Sequence, residues 1–329
     1  MKQHHLIFAN FVCHFGGSNV LLDYAEEVVI PAFTNDTFVR TYGNSDYHLY
    51  EVELINLATA EEPVLALAGR FIKNTTLVRE QTFGKKEGLV KDELSISSAP
   101  SAFFVLLLNN HRLIYFPETT HAPSLETFKQ TTQNFLRKRH KIYIDEVYEK
   151  RKASQDKITK KQLFKDIPLP TVEVLALTGF ASIEVFLERF KILKSIDFRL
   201  IKPNDDLDAG EILGEIRNLG ASLGADRAKL TVANSDGLDK KAATEAIVSA
   251  SSDGNQEVKL SGIDQQDNLL SGDNESFVLS SHLENPAEDR GSLIAQLFSV
   301  YQDLRGRRAL KTPPLVVNAK IKRIARILE

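Results

Sequence analysis

The sequence predicts an α+β protein with mixed α/β sheets in two domains joined by a long basic helix. Three observations support this prediction. The first 120 residues alternate short β-type runs with turn signals. One long segment of helical periodicity follows, and the rest of the chain alternates strand-like and helix-like segments. We therefore place an N-terminal mixed β-sheet domain, ending in the long basic helix, at residues 1–152, and a C-terminal α/β domain with a basic C-terminal tail at 153–329.

The strands of the first part are runs rich in β-branched and aromatic residues. They are "HLIFANFVCHF", "YHLYEVELINL" and "PVLALAGRFIKNTTLV". Between the first two, "LLDYAEEVVIPAF" is predicted to form a helix that ends near Pro31, because proline disrupts a helix interior. The clearest hairpin consists of "SAFFVLLL", the turn "NNHR" and "LIYFP", since Asn109 and Asn110 suit the left-handed conformations of a tight turn.

The long helix begins after Ser124, a residue type that favours the N-cap position. Its apolar residues follow helical spacing, at Leu125, Phe128, Phe135 and Leu136. One face of the helix is therefore expected to pack on the preceding sheet. The helix continues through "RKRHKIYIDEVYEKRK" to Lys152, and "ASQDKITKK" is then predicted to be a solvated linker.

The second part alternates more regularly. The predicted strands are "TVEVLAL", "SIDFRLIKP", "AKLTVANSD", "QEVKLSGID" and "SFVLSSHL". The predicted helices are "ASIEVFLERF", "AGEILGEIRNLGASLG", "LDKKAATEAIVSAS" and "RGSLIAQLFSVYQDLRGRR". This alternation favours a domain built around a mixed sheet.

Composition limits the functional classes. The chain has 329 residues, of which 43% are hydrophobic and 26% charged, as is typical of globular proteins. The longest apolar run, "AFFVLLL", is too short to cross a membrane, and the N-terminus lacks a signal-peptide cleavage site. Cys13 is the only cysteine, which excludes an intramolecular disulfide and a multi-cysteine zinc site. We expect a cytoplasmic protein.

The charge is distributed unevenly, although the net charge is only −3. Residues 121–170 contain 12 Lys or Arg against 6 Asp or Glu, a net charge of +6. Residues 201–290 contain 8 against 18, a net charge of −10, and residues 291–329 contain 8 against 2, a net charge of +6. Two basic islands therefore flank an acidic segment. Clustered cations on a helix attract a polyanion and release its counterions.

The first basic island is the end of the long helix. Its candidate nucleic-acid-binding residues are Arg137, Lys138, Arg139, Lys141, Lys150, Arg151 and Lys152. A charged helix face is often simply solvated. The run 137–141, however, contains no acidic residue that would neutralise it by pairing along the helix.

The second basic island lies near the C-terminus. Its candidate nucleic-acid-binding residues are Arg305, Arg307, Arg308, Lys320, Lys322, Arg323 and Arg326, and Lys311 lies among them. Ile321, Ile324 and Leu328 follow helical spacing, so the last segment is predicted to be a basic amphipathic helix. Such a helix suits docking on the protein, contact with DNA or contact with a membrane surface.

Catalytic motifs are scarce. The sequence contains neither a P-loop nor an H-E-x-x-H motif. Cys13 and His14 are neighbours in a predicted strand, so their side chains point to opposite faces and do not form a nucleophile–base pair. We expect no catalytic residues, cofactor, metal or small-molecule substrate.

One pattern is typical of a magnesium-dependent nuclease. Asp236 ends a predicted strand, and Glu257 and Lys259 share one face of a later strand. Two carboxylates hold Mg²⁺ in such enzymes, and a lysine assists the attacking water. The same alternation of polar residues also suits an exposed strand, so a nuclease effector of a defence system remains the alternative function.

The order of segments from Asp46 to Leu136 resembles the RexA-like phage exclusion proteins. The segments are "DYHLYEVELI", "VLALAGRFIKNTTLV", "KDELSISSAPSAFFVLLLNNHRLIYFPET" and "APSLETFKQTTQNFL". A later segment, "LPTVEVLALTGFASIEVFLERFKILKSIDFRLIKP", is also similar. The resemblance covers about half of the chain and includes no catalytic motif.

This resemblance implies a homodimeric cytoplasmic protein of two mixed α/β domains, with a fold distantly related to the RdgC-type DNA-binding fold. It also implies sequence-nonspecific binding of double-stranded DNA in phage exclusion or antiviral defence by abortive infection, with a possible membrane protein partner. We therefore expect a non-enzymatic DNA-binding protein. A third alternative is an interaction subunit of a defence complex, whose basic surfaces contact an acidic protein.

Overall fold

The computed structural model describes residues 4–17, 19–59, 61–155, 157–201, 211–225, 228–251, 254, 256–310 and 312–328. Within them the chain forms fourteen β-strands and eight α-helices, arranged as two sheets. The α+β class is confirmed. All strand pairs of the described residues are antiparallel, so the expectation of mixed sheets is wrong. Alternation of strands and helices along a chain does not determine strand direction, because long connections allow the chain to return either way.

Ten strands form the large sheet. They are β1 (His4–Phe15), β2 (Asn19–Val20), β3 (Val39–Tyr42), β4 (Ser45–Asn56), β5 (Leu65–Gly84), β6 (Gly88–Ser98), β7 (Ser101–Leu107), β8 (Arg112–Pro117), β9 (Pro170–Ala176) and β14 (Ser280–Leu283). Their order is β14-β1-β8-β7-β5-β4-β3. In addition, β2 and β9 pair with β1, and β6 pairs with β5.

Helices cover both faces of the large sheet, because alternate residues of its strands point to opposite sides. One face packs against α1 (Ile30–Thr34), α2 (Leu125–Ala153) and α8 (Ala319–Ala325). The other face packs against α7 (Arg290–Gly306). On β1, for example, Phe11 belongs to the first core and Phe8 to the second, and both are buried. The large sheet is thus the central layer of a three-layer unit.

The small sheet has four strands. They are β10 (Phe190–Leu200), β11 (Ala228–Ala233), β12 (Gln256–Asp264) and β13 (Leu269–Asp273), in the order β11-β10-β12-β13. The remaining helices are α3 (Lys160–Asp166), α4 (Phe180–Glu188), α5 (Glu211–Ser222) and α6 (Lys240–Ser251). Helices α4 and α6 share a buried core with one face of this sheet. Side chains of the opposite face are polar, such as Asp197 and Lys259.

The division expected at residue 152 does not separate the two sheets. Strands β9 and β14 and helices α7 and α8 all follow that residue, yet they belong to the large sheet and its two cores. The small sheet lies in the chain between β9 and β14. Whether the chain divides into two independent domains remains a prediction.

The long helix occurs where it was predicted, with the Ser124 side chain accepting a hydrogen bond from the Thr127 N–H. Pro31 does not end its segment but lies in the first turn of α1, where a missing N–H costs little. A 3₁₀ turn over Leu21–Tyr24 and a π-helical turn over Ala25–Val29 precede it. Helix α3 occupies part of the predicted linker, and strands β6 and β13 were not predicted.

Candidate nucleic-acid interface

The first three cations of the basic island on α2 are bound to the protein itself. The Arg137 Nε donates to the Pro170 carbonyl at 3.1 Å, and the Lys138 Nζ donates to the Val39 carbonyl at 2.5 Å. The ammonium of Lys138 also lies 5.6 Å from the centre of the Phe135 ring. All three side chains, including Arg139, are half-buried. These residues hold α2 against neighbouring segments, so they are poorly placed to contact phosphate.

Arg139 makes the most extensive of these contacts. Its Nε donates to the Glu27 carbonyl at 2.9 Å. Its Nη1 and Nη2 donate to the two oxygens of Glu146 at 2.7 and 3.0 Å. The hydrogen bond from Arg139 lowers the pKa of Glu146, although its partial burial acts in the opposite direction. This bidentate pair neutralises the guanidinium.

The rest of the island on α2 is exposed. Lys141, Lys150, Arg151 and Lys152 are exposed and form no ion pair with any carboxylate in the part of the chain that the structure describes. Nearby, the Lys160 Nζ contacts Asp145 at 2.5 Å and lies 5.3 Å from the Tyr148 ring centre. Helix α3, which was predicted to be linker, thus removes one negative charge from this surface.

The final helix carries the second group of exposed cations. Ile321 and Ile324 of α8 are fully buried in the first core, whereas Leu328 is 43% exposed, so the predicted apolar stripe is shorter than expected. The Asn318 side chain caps the helix. Lys322 and Arg326 are exposed and, within the described residues, have no ion-pair partner.

An acidic segment connects the two basic islands. The Lys320 Nζ contacts Asp23 at 2.6 Å, and the Arg323 Nε contacts Glu26 at 2.5 Å. One residue later, Glu27 accepts the bond from Arg139 described above. The segment Asp23–Glu27 therefore contacts α8 as well as α2. Both helices lie on the same face of the large sheet, although about 180 residues separate them in the chain.

The other cations of the C-terminal island lie elsewhere. Arg305, Arg307 and Arg308 are at the end of α7, which packs on the opposite face of the large sheet. The Arg307 Nε contacts Asp303 at 2.8 Å. Arg308 lines a groove of about 340 Å³ beside the start of α4. Lys311 lies outside the described residues. The fourteen predicted residues therefore do not form one continuous surface.

The residues of the nuclease alternative are separated. The turn after β11 contains Asp236, and the Asn234 N–H within this turn donates to the Lys194 carbonyl at 2.9 Å. Glu257 instead pairs in register with Arg199, five residues further along β10, or about 17 Å away. Across the described residues, no three His, Cys, Asp or Glu side chains are arranged to hold a metal ion. The geometry does not assemble this nuclease site.

Glu257 takes part in a network that the sequence did not reveal. Its carboxylate contacts Arg199 on β10 and Lys259 at 3.3 Å. The Arg199 Nη1 also contacts Glu173 of β9 at 3.3 Å, and Lys129 of α2 contacts Glu173 at 3.5 Å. Burial opposes the ionisation of Glu257, but Arg199 and then Lys259 lower its pKa. These residues, except Lys259, line a cleft of about 220 Å³ between the two sheets.

The network joins strands that are distant in sequence, so no local signal could have identified it. Its carboxylates are neutralised by adjacent cations, which suits a structural connection between the sheets better than metal binding.

Cys13 and His140 are buried and do not form a reactive pair. Burial raises the pKa of the Cys13 thiol to about 12, which keeps it protonated at neutral pH. Burial also lowers the pKa of His140, whose Nε2 is 2.9 Å from the Ile167 carbonyl.

A family model described as a domain of unknown function, DUF4747, matches residues 126–277. The matched part extends from α2 through β9 and the whole small sheet. No curated protein matches the chain. No helix among the described residues is long and apolar enough to span a membrane.

Proposed function

We propose that this protein binds double-stranded DNA without sequence preference, through the face of the large sheet that is covered by α2 and α8. The observation that supports the proposal is the position of the exposed cations of both islands on this one face. The cations that have no ion-pair partner among the described residues are Lys141, Lys150, Arg151, Lys152, Lys322 and Arg326.

This surface suits a regular array of phosphates rather than a particular base sequence. Helix α2 has 29 residues and is therefore about 43 Å long. Its last turn ends in three consecutive cations, Lys150, Arg151 and Lys152. Long flexible cations on a convex helix contact phosphates as point charges. Six such contacts predict a slope of about −5 for the logarithm of affinity against the logarithm of salt concentration.

The test is a fluorescence anisotropy titration of labelled duplexes of several sequences, between about 50 and 200 mM salt. The variant Lys150→Ala/Arg151→Ala/Lys152→Ala is expected to bind all duplexes more weakly, with a salt slope smaller by about 3. The matched control is Arg305→Ala/Arg307→Ala/Arg308→Ala, which removes the same charge on the opposite face. Equal losses in both variants, or no binding by the wild-type protein at low salt, would contradict the proposal.

We also propose that this binding acts in phage exclusion in the cytoplasm, as a non-enzymatic activity that involves a membrane protein partner. The resemblance to the RexA-like proteins supports this part of the proposal. Expression of the wild-type chain is expected to reduce phage plaque formation, and the Lys150/Arg151/Lys152 variant is expected to lose that protection. Plasmid DNA incubated with the protein and Mg²⁺ is expected to remain intact.

A further inference from the structure

The outer parts of β5 and β6 form a two-stranded ribbon, defined here as residues 76–98. Strand β5 pairs with β7 up to Ile72 and with β4 up to Thr75. Beyond Thr75 it pairs, within the described residues, with β6 alone. No side chain of residues 76–98 is buried. A hairpin of two strands is marginally stable by itself in water. The ribbon therefore lacks the packing that stabilises the rest of the sheet.

One face of the ribbon carries two exposed apolar pairs. Residues 77, 79, 81 and 83 of β5 point to the same side, and directly paired residues of β6 share that side. Near the base of the ribbon Leu77 lies opposite Ile96, and near the tip Phe83 lies opposite Leu89. Their exposed fractions are 52%, 53%, 75% and 67%. Contiguous exposed apolar side chains of this kind mark an interaction surface.

Charges occupy the middle of the same face. The Arg79 Nη2 contacts Asp92 at 2.5 Å, between the two apolar pairs. The whole ribbon contains four cations and four anions, so its formal net charge is zero. The order along the face is apolar, charged and apolar, and it is the same from either end.

We propose that this ribbon is a dimerisation surface that packs face to face on the ribbon of a second copy of the chain. A two-fold axis beside Glu80 exchanges the base and the tip. The Phe83–Leu89 pair of each copy then contacts the Leu77–Ile96 pair of the other, and each Arg79 faces the Asp92 of the second copy.

Three observations favour a second copy over other partners. A symmetric interface must be complementary to itself, and the apolar–charged–apolar order satisfies this requirement. Zero net charge gives the ribbon no attraction for DNA or an anionic membrane. The ribbon's 23 residues also agree with the roughly 20–30 residues that each partner contributes to a stable interface.

The first test measures the molar mass by sedimentation equilibrium in the absence of DNA, so its result does not depend on the proposed DNA binding. The wild-type protein is expected to be a dimer. Phe83→Ser/Leu89→Ser is expected to raise the dimer dissociation constant by about 100-fold or more, because two apolar contacts are lost on each ribbon. The control is Leu269→Ser, which removes a 93% exposed leucine on the small sheet. A monomeric wild-type protein, or equal weakening by the control, overturns the proposal.

A charge exchange tests the axis. Arg79→Asp alone brings like charges together at the centre and is expected to dissociate the dimer. The double variant Arg79→Asp/Asp92→Arg is expected to restore it. Dissociation of both variants, with circular dichroism spectra equal to that of the wild-type protein, would exclude this arrangement of the two copies.

Cross-linking tests which face is covered. Cys13 is fully buried, so an introduced cysteine supplies the reactive thiol. A short bis-maleimide is expected to cross-link Gln81→Cys into dimers and to leave Thr82→Cys, on the other face, monomeric on denaturing gels. The reverse result overturns the proposal. Binding of a monomeric protein to neutral lipid vesicles that is lost in Phe83→Ser/Leu89→Ser would instead assign the ribbon to a membrane surface.

Discussion

Arg199 of β10 and Glu173 of β9 belong to different sheets, and their Nη1 and Oε1 atoms are 3.3 Å apart. The same guanidinium contacts Glu257 of the small sheet. Lys129 approaches Glu173 from α2, so charged groups of three elements meet at one carboxylate. Arg199 is 35% exposed, which places this link in a partly solvated cleft rather than in a core. It is a direct polar connection between the large and the small sheet.

Replacing Arg199 by methionine should destabilise the protein by about 1–2 kcal/mol, because Glu173 and Glu257 keep their charge and lose their shared partner. Since the pKa of Glu257 is lowered in the folded state, its stabilisation is present above the ordinary carboxyl pKa and is lost as the pH falls through the lower, folded value. Urea unfolding between pH 3 and 7 measures both effects, where these limits bracket the ordinary pKa of about 4.3. Arg199→Lys is the control that retains the charge, and a pH profile unchanged in Arg199→Met would contradict the role of the pair.

Helix α8 offers a matched pair of isoleucines. Ile324 is fully buried and Ile327 is 52% exposed, three residues further along. Ile324→Ala should lower the free energy of unfolding by about 2–4 kcal/mol, whereas Ile327→Ala should change it by less than about 1 kcal/mol. Chemical denaturation monitored by circular dichroism compares the two. Equal effects would mean that α8 is not docked through its Ile321–Ile324 face.

Local signals in the sequence predicted local structure well. The Ser124 cap and the spacing of Leu125 and Phe128 identified α2, because helix formation depends on residues three or four apart. Strand β6 was missed since its burial pattern lacks the alternation of a half-buried strand: its side chains are exposed or half-buried on both faces. Its partner is β5, and the pairing is visible only once the two strands are placed together.

The sequence could not show which cations are available for binding. Lys138 and Arg139 end on the carbonyls of Val39 and Glu27, about 100 residues away in the chain, and nothing in the neighbouring residues indicates such contacts. Composition likewise suggested one C-terminal island, but Arg307 and Lys322 lie on opposite faces of the large sheet. Long-range packing therefore decided the outcome for each charge.

Lys138 should behave as a structural cation. Lys138→Ala removes its hydrogen bond to the Val39 carbonyl and its contacts with the Phe38 and Phe135 rings. The expected loss is about 1–2 kcal/mol of unfolding free energy, with DNA affinity within about twofold of the wild-type value. Thermal denaturation and anisotropy titration on the same sample measure the two quantities. A normal melting temperature with a large loss of affinity would return Lys138 to the DNA-binding surface.

The acidic segment beside α8 should limit DNA binding. Burial opposes the ionisation of Asp23, but hydrogen bonds from Lys320 and the Val20 N–H outweigh it and lower its pKa, so Asp23 is charged and neutralises Lys320 at neutral pH. Asp23→Asn/Glu26→Gln keeps hydrogen-bond acceptors at both positions and removes the two charges that face Lys320 and Arg323.

The double variant should therefore bind DNA more tightly than the wild-type protein, with a salt slope steeper by up to about 2, because two more cations become available to phosphate. Glu53→Gln is the control, since it removes a carboxylate that contacts Arg290 of α7, which packs on the opposite face. Anisotropy titrations at two salt concentrations compare the three proteins. Weaker binding by the double variant would mean that these ion pairs chiefly hold α8 in place, and that the DNA-binding surface depends on a docked α8 more than on the freed charge.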